Sequence, residues 1–182
     1  PSARALDALA LPLTDPVPDA ALVTGTALRA ELDRVLQRCR QRERLADRLG
    51  VAAHTRACDG VRLLFTGGSG TGKTLAGQWL AQRLGLPVWR VDLAALQSKW
   101  IGETEKHLAE LLSRAEHADA VLLFDEADTL FGKRTEVASA NDRFANAQTN
   151  YLLQRIESHA GIVVLTSNSR SRFDPAFARR LD

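Results

Sequence analysis

The stretch that most constrains this chain is Gly67-Gly68-Ser69-Gly70-Thr71-Gly72-Lys73-Thr74. It satisfies the pattern G-x-x-x-x-G-K-[ST] in full, with Gly67 opening it and Gly72, Lys73 and Thr74 closing it. An apolar run, Val61 to Phe65, precedes it, and a helix-compatible segment, Leu75 to Leu84, follows. A loop of this composition between a strand and a helix is suited to holding phosphate. Glycines let backbone N–H groups curl round phosphate oxygens, and the helix beginning near Gly72 turns its positive dipole end the same way. Lys73 is then expected to reach the β- and γ-phosphates and Thr74 to hold Mg²⁺. Taken alone, the motif implies a nucleotide phosphate and leaves open what its hydrolysis would drive.

The rest of the composition excludes more than it selects. The 182 residues are 45% hydrophobic and 25% charged, enough for one substantial core. With 24 Lys and Arg against 22 Asp and Glu, the net charge of +2 supplies no basic field that would argue for nucleic acid. Two cysteines, Cys39 and Cys58, suggest neither a zinc site nor a disulfide framework, and predict a reducing cytoplasm. No run approaches a membrane span, and the start lacks a signal-peptide pattern. The chain contains no Met, even at position 1, and Ala178 to Asp182 carry no helix stop, so both ends are expected to be cut from something longer.

Taken in order, residues 1–22 predict a linker or extended arm, because Pro1, Pro12, Pro16 and Pro18 lie there among small and apolar residues. From Thr26 to Leu49 the residues Leu28, Leu32, Val35, Leu36 and Cys39 recur at helical spacing opposite an Arg- and Glu-rich face. A nearly unbroken apolar run, Val61 to Phe65, and the runs Ala120 to Phe124 and Ile162 to Thr166 predict buried parallel strands, and Val88 to Asp92 reads as a further strand. Between them come the helix after the phosphate loop, ended by Gly85-Leu86-Pro87, a helix from about Glu103 to Ala118, and another from Ser139 to Ser158. Leu108, Leu111, Leu112 and Ala115 line one face of the second, while Phe144, Tyr151, Leu152 and Ile156 face inward on the third. The alternation predicts an α/β fold, a doubly wound parallel sheet with right-handed crossovers.

In open α/β sheets, ligands bind beyond the carboxyl ends of the strands. Asp125 and Glu126 follow the third run, and Asn168 follows the fourth. On that edge Asp125 is expected to orient Mg²⁺ or its water, and Glu126 to act as general base toward the attacking water. Asn168 suits holding that water or touching the γ-phosphate, and equally suits a turn.

With Gly67 to Thr74, Leu122 to Asp128 and Leu165 to Asn168 in this order, the chain resembles the AAA+ ATPases from about Thr24 to its end. The resemblance implies a P-loop NTPase, residues 23–182 forming the large α/β subdomain, with ATP or ADP and Mg²⁺ as cofactors. It gives four strands in the order 2-3-4-1, the first left as an edge, and puts the family's fifth strand and helical lid beyond Asp182. Leu75 would join Gly67 to Thr74 in binding nucleotide. Ser98 to Lys106 is similar to the first pore loop of the AAA subgroup that remodels or threads proteins, with Lys99, Trp100 and Ile101 gripping the substrate. The region from Asn141 resembles the family's second region of homology, so Arg179 and Arg180 would reach the nucleotide of a neighbouring subunit. That arrangement implies a homo-oligomer, a hexameric ring, and a weakly active isolated piece. Arg143 to Asn146, Asn150 to Arg155 and Phe177 to Asp182 resemble AAA proteins encoded with contractile injection particles.

Two functions stay open at this point. One is a motor coupling ATP hydrolysis to remodelling or threading of a protein; the other is an assembly factor or scaffold using ATP as a structural switch. A small-molecule kinase is disfavoured, since Asp125, Glu126, Asn168 and the arginine pair serve water rather than an acceptor hydroxyl.

Overall fold

The computed structural model describes residues 9–49, 60–93, 104–128 and 150–169 together with Leu181. The five strands are β1 (Ala10–Pro12), β2 (Val61–Thr66), β3 (Val88–Val91), β4 (Val121–Phe124) and β5 (Ile162–Ser167). Helices α1 (Thr26–Leu49), α2 (Lys73–Leu84) and α3 (Thr104–His117) and a helical segment, α4, at 150–158 lie between them. The strands form one sheet in the order β1-β3-β4-β5-β2.

The two central strands, β4 and β5, are buried along their whole length. Because side chains alternate across a strand, each run of apolar residues feeds two cores at once. Leu122, Phe124, Val163 and Leu165 point into the core that α3 and α4 cover with Leu108, Leu111, Leu112, Leu152 and Ile156. Val121, Leu123, Ile162 and Val164 point into the opposite core, covered by α1 and α2 with Leu32, Leu36, Cys39, Trp79 and Leu80. Helices on both faces explain why these strands show no polar alternation, and they make the sheet doubly wound as the sequence predicts. Helix α2 lies very close to the sheet. A Cβ built on Gly77 would stand 2.9 Å from Leu123 Cδ1 and 3.4 Å from Val164 Cγ1, so glycine permits that approach.

The four strands expected from sequence take the expected order, with β2 at one edge among the described residues. Two expectations are corrected. Among the described residues the sheet has five strands and is mixed, because Ala10–Pro12, in the segment read as a linker or arm, pairs antiparallel with β3. A three-residue strand on an edge tolerates Pro12, whose missing N–H would disrupt a central ladder. Leu28, expected on the buried face of α1, is 50% exposed, while Leu32, Leu36 and Cys39 are buried. Phe144 lies outside the described residues.

Beyond β1 the arm crosses the outer side of α2. Gln78 and Gln82 both donate from Nε2 to the Asp15 carbonyl at 2.7 Å, and Val17 N–H donates to Gln82 Oε1 at 2.7 Å. Asp19 Oδ1 accepts from the Trp79 indole at 2.7 Å and from Arg83 Nε at 3.0 Å. Arg83 also pairs with Asp19 Oδ2, and Arg29 lies over the Trp79 ring with its Cζ 4.6 Å from the centroid. The ion pair is half exposed and contributes little, whereas the indole N–H belongs to a side chain with 1% exposure and needs its acceptor. Replacing Asp19 by Ala should therefore lower the unfolding free energy by about 1–2 kcal/mol, and Asp19→Asn, which keeps an acceptor, by distinctly less. Urea titrations of both variants check this; equal losses would assign the effect to the charge instead.

Candidate nucleotide-binding site

Strands β2, β4 and β5 run parallel, so their carboxyl ends share one edge. From β2 the chain enters the glycine loop, whose first amide, Gly67 N–H, donates to the Ser167 carbonyl at 3.2 Å. Thr71 folds back, its Oγ1 donating to the Gly68 carbonyl at 2.9 Å. Gly70 and Gly72 have φ of 77° and 84°, the left-handed region where a Cβ is strained. Gly72 caps α2, its carbonyl accepting from Ala76 N–H at 2.8 Å, and Lys73, Thr74 and Leu75 form the first turn.

Lys73 Nζ donates to three oxygens: the Gly67 carbonyl at 2.9 Å, the Gly68 carbonyl at 2.8 Å and Asn168 Oδ1 at 3.0 Å. Thr74 Oγ1 lies 3.1 Å from both carboxylate oxygens of Asp125, which follows β4 directly. The Thr74 hydroxyl and Asp125 carboxylate form an oxygen donor pair of the kind Mg²⁺ prefers, so these residues fit that ion. Glu126 is exposed beside them with φ of 51°, an unusual value outside glycine.

The structure thus brings Gly67, Gly68, Ser69, Gly70, Thr71, Gly72, Lys73, Thr74, Leu75, Asp125, Glu126 and Asn168 to one edge of the sheet. The remaining expected site residues, Lys99, Trp100, Ile101, Arg179 and Arg180, lie outside the described residues. Two features were missed by sequence reasoning. One is a cavity of about 490 Å³ beside the loop, walled by Leu22, Val23 and Thr24 of the arm, Leu28 and Leu32 of α1, and Gly72 and Ala76 of the loop and α2. Its size and its mixture of apolar walls with loop backbone suit a base and sugar. Leu28 and Val23 line the cavity while remaining exposed to solvent. Periodicity gives no sign of it, since it requires the arm to fold back onto α1. The other missed feature is Thr166, described below.

A parallel sheet wrapped on both faces, with a glycine loop leading into α2 and an acidic turn on the same edge, defines a P-loop NTPase fold. Residues 63–182 match the model of the ATPase family associated with various cellular activities (AAA), and the chain belongs to that family. It is 32% identical over 145 residues to an uncharacterized AAA family ATPase, y4kL, of Sinorhizobium fredii, covering 74% of this chain and 43% of that one. It is 34% identical over 125 residues to fidgetin-like protein 1 of Xenopus laevis, covering 65% and 19%. Over 119 residues it is 31% identical to the cell division cycle protein 48 homolog of Archaeoglobus fulgidus, covering 64% and 16%. The chain spans less than half the length of these relatives. Among solved structures, the FIGL-1 AAA domain in complex with ADP superposes with a TM-score of 0.68 at 20% identity, covering 96% of this chain and 56% of that one. The Escherichia coli MS115-1 HORMA:CdnC:Trip13 complex gives 0.67 at 20% identity, covering 97% and 68%. At that identity both matches speak for the fold.

If the loop is the phosphate cradle, removing the Lys73 ammonium removes a charged donor. Lys73→Ala should lower affinity for ADP by roughly tenfold to a hundredfold in calorimetric titration. Undiminished affinity would put the phosphates elsewhere.

Proposed function

We propose that the chain is the ATP-hydrolysing part of a ring-forming AAA motor, which couples hydrolysis to remodelling or threading of a protein. The observation that carries this reading is the meeting of Lys73, Thr74, Asp125, Glu126 and Asn168 at one sheet edge beside a cavity of nucleotide size. In this reading the loop N–H groups and Lys73 bind the phosphates, and Leu22, Val23, Thr24 and Leu28 enclose the base. Thr74 and Asp125 would hold Mg²⁺, which when bound neutralises charge on the β- and γ-phosphate oxygens. Glu126 takes the proton of the attacking water, and Asn168 orients that water or the γ-phosphate.

Two further elements rest on the family resemblance. Arg179 and Arg180 act on the nucleotide of the adjacent subunit, a contribution of roughly a thousandfold or more in rate, so hydrolysis needs a ring, a hexamer, and a monomer hydrolyses poorly. Trp100, between Lys99 and Ile101, grips the protein substrate in the ring's pore. Among the described residues no helix is long and apolar enough to cross a membrane. A cytoplasmic setting belongs to the same reading, with Cys39 buried in the core beneath α1.

In the full-length protein, Glu126→Gln should cut turnover by about a hundredfold or more while ATP remains bound and the ring persists. A protein that keeps its biological activity with this change would be an assembly factor using nucleotide as a switch. Replacing Arg179 and Arg180 together by Ala should cost turnover on a similar scale and leave ATP affinity nearly intact. Sizing with and without ATP checks the ring directly; a monomer that hydrolyses ATP robustly would refute the trans arginines.

A further inference from the structure

Thr166 lies in the middle of the sheet with no exposed surface, where a valine would fill the same space with no polar group to satisfy. Its hydroxyl is engaged on both sides. Oγ1 donates to Asp125 Oδ1 at 2.5 Å and accepts from Glu126 N–H at 3.1 Å, while its own carbonyl accepts from Ala127 N–H at 2.8 Å. A hydroxyl has one hydrogen, so donation to the carboxylate leaves its lone pairs for the Glu126 amide, and the two bonds fix each other's direction. Asp125 is therefore held from two sides, by Thr166 and by Thr74. Glu126 adopts its left-handed backbone at the residue whose amide Thr166 accepts.

We propose that Thr166 is a positioning residue for the hydrolytic site. Its hydroxyl aims the Asp125 carboxylate at Thr74 and pins the left-handed turn that presents Glu126. This rests on the reading of the site as hydrolytic given above. It acts through the two acids it contacts, Asp125 by its carboxylate and Glu126 by its amide. Outer partners of a metal-binding carboxylate typically matter by one or two orders of magnitude.

The test compares Thr166→Val, Thr166→Ala and Thr166→Ser in the full-length protein. Thr166→Val should lower kcat by roughly tenfold to a hundredfold and raise the Mg²⁺ concentration needed for half-maximal nucleotide binding, and Thr166→Ser should recover most of both losses. A second readout needs neither nucleotide nor metal. In hydrogen exchange the Glu126 amide should exchange faster in Thr166→Val, while the Ala127 amide, bonded to the backbone carbonyl, keeps its rate. Thr166→Ala should reproduce both effects if the valine variant folds poorly. Wild-type turnover in the Val and Ala variants, or a Glu126 amide whose exchange ignores the hydroxyl, would overturn the proposal. Failure of the hydrolytic reading looks different: Glu126→Gln would leave turnover unchanged, and the amide of Glu126 would still respond to Thr166.

Discussion

The register of β5 between β4 and β2 is the constraint on which the site depends. Phe124 pairs with Leu165, and Thr66 pairs with Ser167. The next residue on each chain therefore becomes a neighbour across the edge: Asp125 beside Thr166, and Gly67 near Ser167 and Asn168. The bonds from Thr166 to Asp125 and from Gly67 to Ser167 are the direct expression of those pairings. A slip of one residue would exchange the side chains of β5 between the two cores, and the close packing of each would resist it. Hydrophobic burial far from the edge thus sets the positions of polar groups at the edge.

Helix α2 is held with the same economy of elements. Its inner face meets β4 and β5 closely at Gly77, and its outer face is tied to the arm through Gln78, Trp79, Gln82 and Arg83. The arm then carries on to Leu22, Val23 and Thr24, which wall the cavity. The first turn of α2 and that wall are accordingly fixed by one set of contacts, so a ligand spanning loop and cavity would meet both already in place.

Much of this was legible because it is written in continuous features. The runs 120–124 and 162–165 are apolar without alternation, which only strands covered on both faces require, and 61–65 is broken only by Arg62. The loop motif and the acids after β4 are local in sequence, and the topology brings them to one edge. What escaped is what local pattern does not encode. β1 is three residues long and contains Pro12, so composition there speaks for an arm, and it becomes a strand only because the edge of β3 offers it a partner. Leu28 keeps the helical spacing of a core residue but sits past the end of the core, on the cavity. Thr166 is β-branched and thus an ordinary strand residue; its role depends on Asp125, forty-one positions away in sequence.

Lys73 ties the loop to β5. An ammonium has three N–H bonds, and here each has an oxygen: two loop carbonyls and Asn168. The loop is thereby kept folded around a charge that would otherwise repel its own amide dipoles. A phosphate oxygen can engage this lysine only by displacing one of the three. The two carbonyls belong to the loop itself and move with it, whereas Asn168 reaches in from β5 on an exposed side chain. If the loop holds phosphate as proposed, exchange at Asn168 disturbs the loop least, because that acceptor alone lies outside it.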